Sequence, residues 1–345
     1  MNEKKDISTV SVVIPCRNEK KFISECIDSF VNQTYDKELY EVLICDGMSD
    51  DGTRDIVKGY EEKYKNIRLV DNVGLSAPKG MNEGIRKSKA DVIIIFGAHA
   101  YADKDFIKNN VKLLNKDKSV GCAGGPIETI NDSDKGRAVA LAMSSPFGVG
   151  NALFRYAKKE MYVDTVAFGA YRRDVLEEIG YFDSELVRNQ DDEINYRVTK
   201  AGYNILLSPT VKSYYYSRAS LKKLWRQYFQ YGFWKVRVMQ KHGKTASVRH
   251  LVPMTFVLTN LLGIILGMFF KPILILWLVE LAAYLTCDII SSFKLIKRKF
   301  NLLKYIPIIF PILHLSYGIG FLQGLFVFYL FKSKKYINKN TKMSR

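Results

Sequence analysis

The hydrophobic period of the first hundred or so residues keeps switching, and this constrains the fold more than any other feature of the chain. "TVSVVIP" reads as a strand, and "EKKFISECIDSFVNQ" then places Phe22, Ile23, Cys26, Ile27 and Phe30 at helical spacing. "YEVLICDG", "NIRLVDN" and "DVIIIFG" are further strands, with helices "TRDIVKGYEEKY" and "APKGMNEGIRKS" between them. Such alternation implies a parallel, doubly wound α/β sheet that binds ligands at the carboxyl ends of its strands. No G-x-G-x-x-G follows any strand, which argues against a dinucleotide-dependent dehydrogenase. Helix "DKDFIKNNVKLLNK" and strand "VGCAGG" come next. The stretch 126–165, rich in Gly, Ser and Ala, reads as irregular and acceptor-facing. Regular structure returns in "YRRDVLEEIGYFD", "NQDDEINYRVTKAGY" and "NILLSPT".

From Leu251 the composition turns strongly apolar. Segments 252–270 and 272–290 are each close to the roughly 20 residues a helix needs to cross a bilayer. Only Lys271 and Pro272 separate them, so a tight hairpin is expected, and Lys294, Lys297, Arg298 and Lys299 mark the side of its ends as cytoplasmic. A third apolar segment, within 305–331, contains Pro307 and Pro311 and runs into a basic tail, 332–345; the number of crossings stays open. Glu280 and Asp288, acids inside a predicted span, are functional candidates. The expected organisation is a catalytic domain over 1–245, a membrane region over 251–331, and the tail. Within the domain, 218–245 carries Leu221, Leu224, Trp225, Tyr228 and Tyr231 at helical spacing after the N-cap candidate Ser220. It is expected to lie in the membrane interface or to pack on the sheet. "MNEKKDISTV" opens charged and enters the first strand directly, so the catalytic half of a multi-pass protein is expected on the cytoplasmic side of the cell membrane.

The net charge of +17 is unevenly spread, with no acid between Glu193 and Glu280 while Arg and Lys recur from Arg197 to Arg249. Placed just before apolar spans, this basic stretch suits anionic lipid and phosphate-bearing substrates better than nucleic acid. The five cysteines form no C-x-x-C pair and are odd in number, so buried free thiols are expected, not disulfides or a zinc site.

Two turns carry the chemistry. Pro15-Cys16-Arg17-Asn18-Glu19 follows the first strand, and its polar groups would meet a ligand at the strand end, though the same pattern is common helix punctuation. Asp46-Gly47-Met48-Ser49-Asp50-Asp51-Gly52-Thr53 follows the second strand. Its carboxylate and small residues can take hydrogen bonds from a base or ribose, and Asp51 and Thr53 serve equally well as helix N-caps.

Together with "FGAYRR", "RNQDDEINYR" and "RQYFQYGFWK", these turns resemble a family 2 glycosyltransferase of GT-A fold, of the membrane-associated type that builds exopolysaccharides such as succinoglycan. The resemblance implies that Asp46 contacts the uracil of a UDP-sugar and that Pro15, Asn18 and Glu19 form the nucleotide-side turn. It implies that Gly124, Gly125 and Pro126 form a turn near the donor sugar, and that Asp191 is the general base. An acceptor hydroxyl attacking an anomeric carbon must lose its proton, and a carboxylate within reach can take it, inverting the centre. Asp191, Asp192 and Glu193 also suit the first turn of a helix by its dipole alone.

The family's D-x-D falls on Gly97-Ala98-His99. His99 holds the metal-ligand place and Gly97 lacks a carboxylate, so a divalent cation, Mn²⁺ or Mg²⁺, is expected, with imidazole favouring Mn²⁺. Asp103 is a compensating ligand or a helix N-cap. Arg226, Trp234 and Lys235 are candidates for pyrophosphate or acceptor contact. The Q-x-x-R-W of processive synthases is matched only by Gln230 and Trp234, without the Arg, which implies transfer of a single sugar. His242, His250 and His314 show no ligand spacing. The expected reaction is transfer from a UDP-sugar to a polyprenyl-diphosphate saccharide, possible partners being other members of a polysaccharide assembly complex. Transfer onto polyprenyl phosphate itself, or a non-catalytic pseudo-glycosyltransferase scaffold, are the alternatives.

Overall fold

A computed structural model describes residues 8–217, 220–243, 248–296, 299–331, 337 and 340. Lys297, Arg298 and most of the basic tail 332–345, expected to mark membrane topology, lie outside the described residues. In chain order the elements are β1 (Val10–Cys16), α1 (Ile23–Val31), β2 (Tyr40–Asp46), α2 (Thr53–Lys63), β3 (Ile67–Asp71), α3 (Ala77–Lys87), β4 (Val92–Ile95), β5 (Ala100–Ala102), α4 (Phe106–Lys116), β6 (Val120–Gly124) and β7 (Ile127–Ile130). There follow α5 (Asp134–Met143), α6 (Pro146–Val149), β8 (Met161–Tyr162), β9 (Ala170–Arg172), α7 (Arg173–Ile179), α8 (Gln190–Lys200), β10 (Asn204–Leu207), β11 (Ser213–Tyr216), α9 (Leu221–His242), α10 (Val252–Gly267), α11 (Lys271–Ile296) and α12 (Ile306–Leu325).

Two compact units divide these elements: residues 1–128 with 153–216, and residues 129–152 with 217–345. The first unit is built on an eight-stranded sheet of order β3-β2-β1-β4-β9-β6-β10-β8. Strands β3, β2, β1 and β4 run parallel, as do β6 and β10, while β9 is antiparallel to both β4 and β6. This is the doubly wound, mostly parallel α/β sheet expected. Successive strand residues point to opposite faces, so Val12 and Ile14 join a core with Ile23, Ile27 and Phe30 of α1 and Phe106 of α4. Val13, Leu43 and Ile93 join a second core with Ile85 of α3, Leu176 of α7 and Ile194 of α8. Two apolar faces require helices on both sides, which is why these strands read as near-continuous apolar runs. Because β1 lies between β2 and β4, the chain reverses direction of winding there, and in such sheets ligands bind outside the carboxyl ends of those strands.

The second unit corrects one expectation. Residues 134–143 are a regular helix, not an irregular stretch, and Ala138, Val139, Ala142 and Met143 pack in one core with Ile309, Phe310 and Leu313 of α12. Helix α9, expected within the 1–245 domain, groups by contact with this unit. Glycines explain the close packing of α9 on α12. A Cβ on Gly232 would meet the Tyr317 carbonyl oxygen at 2.0 Å, and one on Gly320 would meet the Phe229 carbonyl oxygen at 2.1 Å. Small residues that let helix backbones touch are a device of helix packing in lipid.

Residues 248–267, 271–296 and 306–331 form three helices long and apolar enough to cross a membrane. Pro307 sits in the first turn of α12 and Pro311 inside it, yet the helix continues to Leu325 and on through a π-helical stretch to Phe331. His314 of α12 lies 2.8 Å from the Tyr284 hydroxyl of α11 and 2.8 Å from the Phe147 carbonyl of α6, tying those segments together.

Candidate active site

The two turns singled out by their sequence meet beyond the carboxyl ends of β1 and β2 and are laced to each other. Cys16 and Asp46, the last residues of β1 and β2, are neighbours in register. Asn18, at a left-handed φ of 57°, donates its amide to the Ser49 hydroxyl at 2.8 Å and accepts the Asp50 amide at 3.1 Å. The Glu19 amide donates to Thr53 Oγ1 at 2.9 Å, and the Lys20 amide to Asp51 at 3.1 Å. Neither Asp51 nor Thr53 is the cap of α2: Gly52 is, in the left-handed region, and Asp51 accepts from the Thr53 amide at 3.0 Å.

Asp46 is fully buried, and its carboxylate accepts from the Ser49 amide, the Ser49 hydroxyl and Arg54 Nη1. It therefore organises the turn that follows it. The other arm of Arg54 donates at 2.7 Å to Asp71, whose side chain is 59% exposed. Arg54 and Asp71 were not singled out from the sequence. Their signal was there in outline, since both β2 and β3 end in Asp and the two residues are in register.

At the end of β4, His99 is 21% exposed, its Nδ1 lies 3.8 Å from Oε1 of the buried Glu19, and Tyr215 meets its ring edge-on at 5.0 Å. Gly97 has a packing reason. A Cβ there would lie 2.9 Å from Cε1 of Phe168, whose ring also packs on Phe96 at 4.5 Å. The edge of an aromatic ring thus crowds the position where a side chain at 97 would begin. Asp103 does not replace it: its Oδ1 accepts the Asp105 amide at 3.1 Å in the turn before α4. Among the described residues no three His, Cys, Asp or Glu side chains converge to hold a metal ion. His99 and Glu19 together nevertheless offer one nitrogen and one oxygen donor at the strand end, which fits a divalent cation whose remaining ligands come from a nucleotide's phosphates.

Gly124, the last residue of β6, and Gly125 just beyond it are under a packing demand of their own. A Cβ on Gly125 would fall 1.8 Å from the Val211 carbonyl oxygen, and one on Gly124 would meet Val166 at 3.1 Å.

The acidic run at the start of α8 divides by environment. Glu193 is buried and gripped by Arg197 through two 2.8 Å bonds, while Arg197 also donates to the carbonyls of Ile179, Gly180 and Tyr181. This pair secures the turn before α8. Asp191 is partly exposed. Desolvation by the surrounding protein, and then the neighbouring Asp192 carboxylate, push its pKa up to about 7. Two residues beyond Glu193, Asn195 accepts from the Tyr171 hydroxyl at 3.0 Å and donates to Thr165 and to the Val166 carbonyl, pinning α8 to β9 and to the loop that carries Phe168.

The remaining candidates belong to the second unit. Arg226 is exposed on α9, whereas Trp234 and Lys235 are buried, and the Trp234 indole donates to the Asn340 carbonyl at 3.2 Å. Trp234 and Lys235, expected to contact pyrophosphate or acceptor, are thus buried side chains of α9, and the Trp234 ring packs against Phe328 with centroids 6.0 Å apart. All four cysteines of the first unit and Cys287 are free thiols.

The family description "glycosyl transferase family 2" matches residues 11–180. The chain is 32% identical over 324 residues to the dolichyl N-acetyl-alpha-D-glucosaminyl phosphate 3-beta-D-2,3-diacetamido-2,3-dideoxy-beta-D-glucuronosyltransferase of Methanococcus voltae, covering 92% of this chain and 97% of that one. It is 28% identical over 247 residues to the succinoglycan biosynthesis protein ExoA of Rhizobium meliloti, covering 70% and 74% respectively. Among solved structures, the mannosyltransferase PcManGT from Pyrobaculum calidifontis, in complex with GDP-Man and Mn²⁺, superposes with a TM-score of 0.57 at 18% identity over 93% of this chain and 91% of that one, a likeness of fold.

Proposed function

We propose, from the premise that the chain belongs to glycosyl transferase family 2 and is a glycosyltransferase, that it moves one sugar from a nucleotide sugar, UDP-linked by expectation, onto a lipid-phosphate-linked saccharide at a membrane surface. The observation that carries this is Asp191: a carboxyl whose pKa is raised by burial to about 7, in the α/β unit that also holds the strand-end turns. A base poised near neutrality is suited to accept a hydroxyl proton as the hydroxyl attacks.

In the proposed reaction, the acceptor oxygen forms a bond to the anomeric carbon from the face opposite the nucleotide. The bond from that carbon to the diphosphate oxygen breaks, the nucleoside diphosphate leaves with the electron pair, and Asp191 holds the proton. The anomeric centre inverts. Asn18 and Glu19, with the turn 46–53, form the nucleotide side. His99 and Glu19 would hold a divalent cation, which when bound offsets the negative charge of the diphosphate.

The acceptor class is supported by the Methanococcus relative, whose name specifies a dolichyl phosphate-linked sugar and whose length this chain matches almost fully. The polyprenyl-diphosphate saccharide and bare polyprenyl phosphate are the competing acceptors. The three apolar helices would place the enzyme in the membrane where such lipids reside, with the α10–α11 hairpin ends on the cytoplasmic side. The likeness to the succinoglycan protein supports a role in cell-surface polysaccharide assembly.

The test is nucleotide release by full-length protein in detergent, with a panel of UDP-sugars against polyprenyl phosphate, polyprenyl-phosphate sugar and polyprenyl-diphosphate sugar. Turnover with a lipid-linked sugar that is lost in Asp191→Asn supports the reading. No turnover with any donor, or an Asp191→Asn protein as active as the parent, removes it.

A further inference from the structure

Phe168 is among the few non-glycine residues held at positive φ, at 54°, and its ring is only partly buried. A bulky residue keeps that backbone conformation only where its surroundings impose it. Here they do so from three directions. The Ile95 amide donates to the Gly169 carbonyl at 3.0 Å, strapping the next residue across the end of β4. Asn195 holds Thr165 and Val166 just upstream, at 2.9 and 3.0 Å. The ring itself rests on Phe96, with centroids 4.5 Å apart. Gly169 cannot be larger, because a Cβ there would lie 2.9 Å from the Tyr171 ring. The fold thus spends backbone strain to set one aromatic ring over Gly97, two residues before His99.

We propose that Phe168 and Gly97 form one unit of the nucleotide site, in which the ring gives a bound nucleoside diphosphate an apolar face in place of a second anionic ligand. This rests on the donor-site assignment above. Two consequences follow from the geometry. An acidic side chain at 97 requires the Phe168 ring to shift, since its Cβ would come within 2.9 Å of Cε1 at the ring edge. Removing the ring should open the space that a carboxylate needs, and a carboxylate beside His99 should tie nucleotide affinity more tightly to a hard divalent cation such as Mg²⁺.

The experiment measures UDP binding by calorimetry and thermal stability on full-length protein in detergent, each in EDTA, Mg²⁺ and Mn²⁺. The proteins are the parent, Phe168→Ala, Phe168→Tyr, Gly97→Asp and the double variant Gly97→Asp/Phe168→Ala. Phe168→Ala should weaken UDP binding about tenfold with or without metal, as loss of one aromatic contact does, and Phe168→Tyr should bind within about twofold of the parent. Gly97→Asp should lower both the melting temperature and UDP affinity. The double variant should recover melting temperature relative to Gly97→Asp and show at least about tenfold tighter UDP binding in Mg²⁺ than in EDTA. Additive effects of the two substitutions, or parental UDP affinity and metal response in Phe168→Ala, would overturn the proposal. If the parent binds no UDP, and no GDP when that is substituted, the donor-site assignment itself falls. That outcome is distinct from failure of the pair, in which the parent binds and the cycle is additive.

Discussion

Arg54 Nη1 donates to Oδ2 of Asp46 at 2.9 Å, and Asp46 is fully buried while Arg54 is 23% exposed. The guanidinium is therefore the charge that compensates a carboxylate with no access to water. Ser49 supplies two further donors to the same group, so the turn 46–54 closes on itself around one anion.

Arg54→Ala should destabilise the protein by about 1–3 kcal/mol, because Asp46 then keeps only the neutral donors of Ser49 and the Cys16 thiol. The melting temperature of the full-length protein in detergent reads this directly. Adding Asp46→Asn should return part of the loss, since the uncompensated charge is removed. An unchanged melting temperature in Arg54→Ala would show that the pair contributes nothing.

Asp191 predicts a pH profile of definite sign. As a base it works deprotonated, so turnover should rise through about pH 7 and level off above it. Asp191→Asn should lower turnover by roughly 10²–10⁴-fold and leave UDP binding intact. Stability should move the other way. The folded carboxyl holds its proton up to about pH 7, whereas the unfolded one releases it near pH ~4. The favourable contribution of this group is thus fully present below pH ~4 and is lost as pH rises through the folded value. Measured against the parent, Asp191→Asn should gain stability progressively across that window. A constant difference between the two proteins from pH 4 to 8 would refute the raised pKa.

His99 and Glu19 predict a cation demand that leans toward Mn²⁺. EDTA should depress UDP affinity, Mn²⁺ should restore it more fully than Mg²⁺, and His99→Ala should erase the difference between the two ions. Indifference to EDTA in the parent, with full activity in His99→Ala, would mean that cationic side chains alone stabilise the leaving group.

Arg197 makes five hydrogen bonds that a lysine cannot reproduce: two to Glu193 and one each to the carbonyls of Ile179, Gly180 and Tyr181. Arg197→Lys keeps the charge and loses the fork, and should cost on the order of 3 kcal/mol. Chemical denaturation of the detergent-solubilised chain would measure it. A loss below ~1 kcal/mol would show that charge, not geometry, secures the turn.

Local period made the strands β1 to β4 and the helices between them legible, because burial on two faces of a sheet leaves its mark on every strand residue. The spacing of Asn18 from Asp46 was legible for the same reason, since one β-α-β unit separates them. The role of α9 was not legible. Its apolar and basic residues suit an interface, and only the glycines at 232 and 320, each closing a gap on a partner far away in the chain, decide that one face of it packs directly on α12. The run Asp191-Asp192-Glu193 was legible as acidic but not as divided. Glu193 is structural because Arg197 and three carbonyls converge on the same turn, which no spacing announces.

The sequence by itself determined the fold class, the places of the strand-end turns, the apolar helices and the position of His99, all of which depend on residue type and period over short distances. Only the tertiary structure decided what fills the space beside His99. Gly97 looked like a lost ligand as long as it was considered with its chain neighbours. Phe168, arriving from the loop before β9 with a left-handed backbone, crowds the position where its side chain would begin. Shape complementarity between segments distant in sequence comes from packing in three dimensions and leaves no local trace.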